Sequence, residues 1–197
     1  MKITIQNNDL KDWSGTVLVI GIFEEKIQSQ IEALNGISQP ELLIKHLEAK
    51  DFSGKNGEKL VIQLLGEPIK KLIFVGLGNS ENLLLNNLRE GASLAAKESI
   101  NSNGAMGIIF PWDKFNSKIA AKAVAESIRL SFFKDQRFQS DPKPAIHPRE
   151  INLIGIHEDI QDTLKQVNSI CSGVELCLLY TSPSPRDVEE SRMPSSA

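Results

Sequence analysis

The residues best suited to chemistry in this chain are Gly76, Leu77, Gly78, Asn79 and Ser80. They follow a short apolar run, 72–75, and precede a helical pattern. Glycines at such a junction let backbone N–H groups approach a phosphate at a helix N-terminus. The pattern is not the dinucleotide fingerprint, because Glu81 stands where its third glycine belongs and its charge repels phosphate. No acidic residue sits clearly at the end of a following strand to take a ribose. A tight strand-to-helix turn explains the glycines without any ligand.

The other reactive residues are scattered. His46, His147 and His157 share no ligand spacing, neither HExxH nor a pair. Glu24, Glu25, Asp113, Glu158 and Asp159 fall near expected helix starts, where carboxylates complement the helix dipole rather than form an acid–base pair. No serine lies in a G-x-S-x-G elbow. Lys55, Lys59, Lys70 and Lys71 cluster loosely without interleaved aromatics, as a solvated rim does, which gives no support to nucleic-acid binding. Trp13 and Trp112 read as packing residues or as interface anchors. Cys171 and Cys177 form neither a disulfide framework nor a zinc site, and Cys171 reads as a buried structural thiol. From the residues alone, therefore, no catalytic, cofactor-binding or metal-ligating position is assigned.

The elements that carry these residues are legible from periodicity. Ile3 and Ile5 alternate with polar neighbours over 2–6, as in an edge or half-exposed strand. The run TVLVIGIF, 16–23, is apolar and β-branched, so it reads as a central buried strand. A helix is expected over 24–34, with Ile27, Ile31 and Leu34 on one face and Asn35-Gly36 as its stop. Ser38-Gln39-Pro40-Glu41 resembles a capping box opening a second helix to about Ala49, with Leu43 and Leu47 inward. A turn at 53–57, a strand at 58–65 and a turn at 66–70 lead into the strand at Leu72. A long helix starting near Glu81 presents Leu84, Leu88, Gly91 and Ala95 on one face. Strands at 105–110 and 151–156 flank a helix at 116–134 and a proline-rich surface loop at 136–148. A last helix starts near Asp159, with Ile160, Leu164, Val167, Cys171 and Val174 apolar. Helices joining successive strands imply crossovers and parallel pairing. The expected fold class is thus α/β: a mixed, largely parallel sheet flanked by helices, with the N-terminal strands supplying the mixed character.

The chain has 197 residues, 41% hydrophobic and 24% charged, with a formal net charge of −3. That is an ordinary globular composition, and its acidic balance disfavours a dominant nucleic-acid or acidic-membrane surface. No stretch approaches a membrane span, and the polar start has no apolar signal core, so a cytoplasmic protein is expected.

The runs DFSGKNGEKLVIQL, KKLIFVGLG and NNLREGASLAAK, in that order and spacing, resemble the N-terminal domain of the leucyl (cytosol) aminopeptidase family. AESIRLSFFKDQRFQSDPK is similar to the family's helix before its interdomain region. SICSGVEL is similar to the start of the helix leading to the catalytic domain. The resemblance covers 1–176. It implies a macro-domain-like α/β domain, 1–157, and the start of an interdomain helix, 158–176, of a cytosolic metallo-aminopeptidase that releases N-terminal residues from peptides. It further implies homo-hexamers and two divalent metals, zinc or manganese, that activate a water and polarise the scissile carbonyl. The family's metal ligands and catalytic residues lie in its C-terminal domain, and its Asn-Thr-Asp-Ala-Glu-Gly-Arg signature is absent here. The chain is therefore expected to lack its catalytic domain, to bind no catalytic metal and to be inactive alone. Residues 177–197 resemble the in-frame translation of a sequencing-library adapter, in Cys177 to Asp187 and again in Ser191 to Ala197, and are expected to be disordered. The alternative is a stand-alone macro-like module binding a nucleotide or ADP-ribose at Gly76 to Ser80.

Overall fold

The computed structural model describes residues 1–6, 10–34, 40–65, 68–135 and 146–181. Six strands form one sheet in the order β1-β6-β5-β2-β4-β3. These are β1 (Lys2–Gln6), β2 (Val17–Phe23), β3 (Lys59–Gln63), β4 (Lys71–Gly78), β5 (Ala105–Ile109) and β6 (Glu150–Ile154). The helices are α1 (Ile27–Glu32), α2 (Pro40–Ala49), α3 (Leu85–Glu98), α4 (Ser117–Ser131) and α5 (Gln161–Thr181). β2 lies between β4 and β5, parallel to both, and all seven of its residues are buried. That burial on both faces is why its sequence is continuously apolar rather than alternating. β1 is an edge strand, parallel to β6.

The sheet is mixed, but not where the sequence suggested. Both N-terminal strands are parallel to their neighbours, and the antiparallel member is the edge strand β3, paired with β4. The chain runs from β3 to β4 through a short connection, which permits only antiparallel pairing.

Each face of the sheet has its own core. Under one face Val19, Ile73, Val75, Met106 and Leu153 meet Leu88 and Ala92 of α3, Val124 and Ile128 of α4, and Leu164, Val167 and Cys171 of α5. Over the other, Leu18, Ile20, Leu72 and Phe74 meet Ile31 of α1 and Leu43 and Leu47 of α2. Beyond those helices, Trp13 covers β5 and β6. Its ring lies so close that a Cβ on Gly107 would sit 2.8 Å from it.

Several helix boundaries differ from the periodicity. α3 starts at Leu85, not near Glu81, and Asn87 Oδ1 accepts from Leu84 N at 3.0 Å to close that end. Leu84 therefore stands outside the packed face and is 66% exposed, whereas Leu88, Gly91 and Ala95 are buried. α1 is a short helix of six residues. α4 opens as the sequence indicates, with Asn116 Oδ1 accepting from Lys118 N and Ile119 N. α5 runs unbroken through Leu176 to Thr181, so 177–181 continue the helix instead of the disorder expected there. The Asn35-Gly36 stop, Ser38-Gln39, Gly66-Glu67, residues 136–145 of the proline loop and 182–197 lie outside the described residues.

Candidate functional site

In parallel α/β sheets ligands bind beyond the carboxyl ends of the strands. Here that end of β2 and β4 carries the glycine segment, together with Glu24, Glu25 and the turn at 53–57. Gly76, Leu77 and Gly78 do not form the expected turn: they are the last residues of β4 and are buried. The glycines serve close backbone approach. A Cβ on Gly76 would lie 2.0 Å from Lys55 O and 2.6 Å from Gly54 C. Gly54 and Gly78 both adopt positive φ, at 75° and 77°. The 53–57 turn thus packs its backbone directly on the end of β4.

That packing consumes the donors a phosphate would need. Gly76 N donates to Glu58 O at 2.8 Å and Gly78 N to Gly54 O at 2.9 Å. Ser80 N donates to Glu25 Oε1 at 2.9 Å, and Glu81 N to Asn79 Oδ1 at 2.8 Å. Glu58 Oε2 gathers Ser53 N, Ser53 Oγ and Lys55 N at 2.9, 2.9 and 3.2 Å, fixing the turn from within. Glu90 of α3 fixes it from outside, accepting from Asn56 Nδ2 at 2.7 Å. Hydrogen bonding to the Ser80 side chain, the largest of several causes, holds the Glu25 carboxyl below its ordinary value, and the Ser80 N–H adds to it. The 53–57 turn fills this end of the sheet, and its nearby charged side chains are Glu24, Glu25, Glu58 and Glu90 together with Lys26 and Lys55. An anionic nucleotide would find the N–H groups of Gly76, Gly78, Ser80 and Glu81 already bonded and the carboxylates of Glu25 and Glu58 close by.

The remaining candidates are dispersed. His46 is exposed on α2. His147 stacks on Phe132 with ring centroids 5.0 Å apart, and its Nδ1 lies 3.0 Å from Pro148 O. His157, Glu158 and Asp159 come together in a groove of about 670 Å³ between β1 and the start of α5, beside Lys2 and Lys165. Asp159 Oδ1 accepts from Gln161 N at 3.0 Å, the helix-start role its position implied. Glu24, Glu25 and Glu48 line a smaller hollow of about 250 Å³ against Phe52. Asp113 sits in a 3-10 turn, Trp112–Lys114. Among the described residues no group of three or more His, Cys, Asp or Glu could hold a metal ion.

Two of the four lysines are tied to the end of α3. Lys59 pairs with Glu98, and Lys71 Nζ donates to Glu98 O and Ser102 Oγ, both at 3.0 Å. A cation there also meets the negative end of the helix dipole. Both tryptophans are buried packing residues with paired indoles. Trp13 Nε1 donates to Asn152 Oδ1 at 2.9 Å, and Trp112 Nε1 to Ile154 O at 2.7 Å. Cys171 is fully buried, and burial pushes its thiol pKa up, away from nucleophilic character. Sequence reasoning missed Glu58, Glu90 and Arg129. Glu58 closes its own turn, three to five residues upstream, whereas Glu90 and Arg129 act on segments remote in sequence, which nothing local marks.

Residues 19–142, more than half of the chain, match the family model for the N-terminal domain of the cytosol aminopeptidase family. A probable cytosol aminopeptidase of Prochlorococcus marinus strain SARG is 44% identical over 197 residues, covering all of this chain and 40% of that protein. One from strain MIT 9313 is 38% identical over 176 residues, covering 89% of this chain and 36% of that protein. Among solved structures, a tomato leucine aminopeptidase mutant superposes with a TM-score of 0.71 at 25% identity, over 88% of this chain and 36% of that one. A bottromycin maturation enzyme in complex with Mn shares the fold, with a TM-score of 0.59 at 12% identity, over 89% of this chain and 34% of that one. The chain therefore spans about 40% of the length of the curated relatives it matches.

Proposed function

Since the chain belongs to the cytosol aminopeptidase family, we propose that it is the non-catalytic N-terminal part of a cytoplasmic metallo-aminopeptidase. The observation that carries this reading is the match at the N-terminal domain combined with the 40% span of the relatives. The work assigned to it is assembly and shielding: it docks with its own catalytic domain and contributes to a homo-hexamer, while peptide substrates are bound and cleaved by the catalytic domain. Two divalent metals, zinc or manganese, belong to that domain. The described residues here offer no donor set that fits them, so no catalytic step is assigned to this chain. Among the described residues no helix is long and apolar enough to cross a membrane.

Within the chain, residues 1–157 are assigned to the macro-like α/β domain, 158–176 to the start of the interdomain helix and 177–197 to adapter-derived sequence. Sequencing the genomic DNA across codon 176 decides the last point. A frame continuing into a catalytic domain with the metal signature supports the assignment, and a genomic Ser/Pro tail overturns it.

Activity supplies the direct test. The purified chain is expected to release no nitroaniline from leucine p-nitroanilide above the metal-and-buffer blank, with manganese or zinc added. Metal-dependent turnover by the chain alone would overturn the reading. A nucleotide or ADP-ribose module is not favoured, because the end of β4 is closed and acidic.

A further inference from the structure

α5 changes character along its length. Its first half is anchored by Leu164, Val167 and Cys171, and by Ile160 just before it, all in the core. Past Cys171 the apolar stripe leaves the domain, and Val174 is already 36% exposed. A helix segment without tertiary packing is marginal in water, and its last turns fray. At this transition Arg129, in the last turn of α4, reaches across to α5.

All five of its N–H groups find acceptors. Nε and Nη2 hold the two carboxylate oxygens of Glu175 at 2.9 and 3.0 Å. Nη1 donates to Asn168 O and Asn168 Oδ1, both at 3.0 Å, and Nη2 also donates to Ser172 Oγ at 2.8 Å. Asn168, Ser172 and Glu175 follow the i, i+4, i+7 spacing of one helix face, so a single planar guanidinium spans two turns. The pair is substantially shielded, with 18% of the Arg129 side chain and 27% of the Glu175 side chain exposed.

We propose that Arg129 is a latch that locks the middle of α5, through Glu175, to α4 and so sets the direction in which the chain leaves the domain. The core holds the helix as far as Cys171, and the latch holds the stretch from Ser172 to Glu175. Lysine cannot replace it, because an ammonium lacks the planar fork that engages Glu175 and Asn168 together. The inference requires only α4 and α5 and stands apart from the family reading.

Amide hydrogen exchange on the full chain reads the latch directly. In the unmutated chain, amides at 172–176 exchange more slowly than those of an unstructured peptide. Arg129→Lys is expected to speed exchange at 172–176 by about ten-fold while leaving 164–167 and β4 unchanged. Glu175→Gln, which keeps the Asn168 and Ser172 contacts, is expected to give a smaller rise confined to the same stretch. Unprotected amides at 172–176 in the unmutated chain would overturn the proposal. So would an unchanged rate in Arg129→Lys, or an equal rise at 164–167. Global unfolding of the lysine variant would also overturn it, because Arg129 would then be supporting the core rather than the outgoing helix.

Discussion

A side chain at position 76 would put its Cβ 2.0 Å from Lys55 O, closer than any tolerated contact. Gly76→Ala must therefore push the 53–57 turn off the end of β4 and break the Gly76–Glu58 and Gly78–Gly54 hydrogen bonds. We expect a loss of about 3 kcal/mol in urea unfolding, with Gly57→Ala much milder, since its Cβ would meet nothing within 4 Å and only its positive φ is strained. Glu25 supplies a pH signature. Its carboxyl is held below its ordinary value chiefly by hydrogen bonding to the Ser80 side chain, so the ionised form is the one the fold favours. Its contribution is present above the unfolded value and is lost as pH falls through the lower folded value. Urea midpoints of the unmutated chain and Glu25→Gln should therefore differ at pH 7 and converge once the pH has fallen through the lowered folded value. A constant difference across that range would mean that Glu25 acts through shape rather than charge.

Among the elements, α3 shows where periodicity works and where it stops. Of the face expected from periodicity, Leu84, Leu88, Gly91 and Ala95, the last three are buried and Leu84 is not. Periodicity could not show that Asn87 closes the helix at Leu84, which leaves that leucine outside. Leu88→Ala should cost about 3 kcal/mol by thermal or urea unfolding, whereas Leu84→Ala should stay within about 0.5 kcal/mol. Equal losses would restore the earlier helix start. β2 was legible because burial on both faces writes a continuous apolar run. The end of β4 was not legible: glycines after an apolar run look local, yet they answer to a backbone some twenty residues upstream. The Trp13–Asn152 pair was equally hidden, since its members are 139 residues apart. The absence of a recognisable site was read from missing motifs. The closed, carboxylate-rich strand ends were visible only once the 53–57 turn and Glu25 were seen in place.

For the molecule as a whole, the two cores decide which parts can be removed. The first half of α5 shares its core with α3 and α4, so Leu164, Val167 and Cys171 form part of the same packed layer. A chain ending at His157 would leave Leu153 and Val124 without that cover. It should lose the near-UV signal of Trp13 and Trp112 and bind a hydrophobic dye, while a chain ending at Leu176 keeps native circular dichroism. A native-like 1–157 product would show that α5 is dispensable to the domain. The topology has a further consequence, in time rather than in space. Thr4 meets Asn152 across 148 residues of chain, so β1 is made first and paired last. At ribosomal rates of about 5–20 residues per second, it waits roughly 7 to 30 seconds for β6 to be synthesised. Throughout that interval Ile3 and Ile5 have no sheet to join, although β2, β4 and β5 can already assemble beside the exit tunnel. The shortness of β1, five residues opening on Lys2, limits what a neighbouring nascent chain can zip onto while it waits.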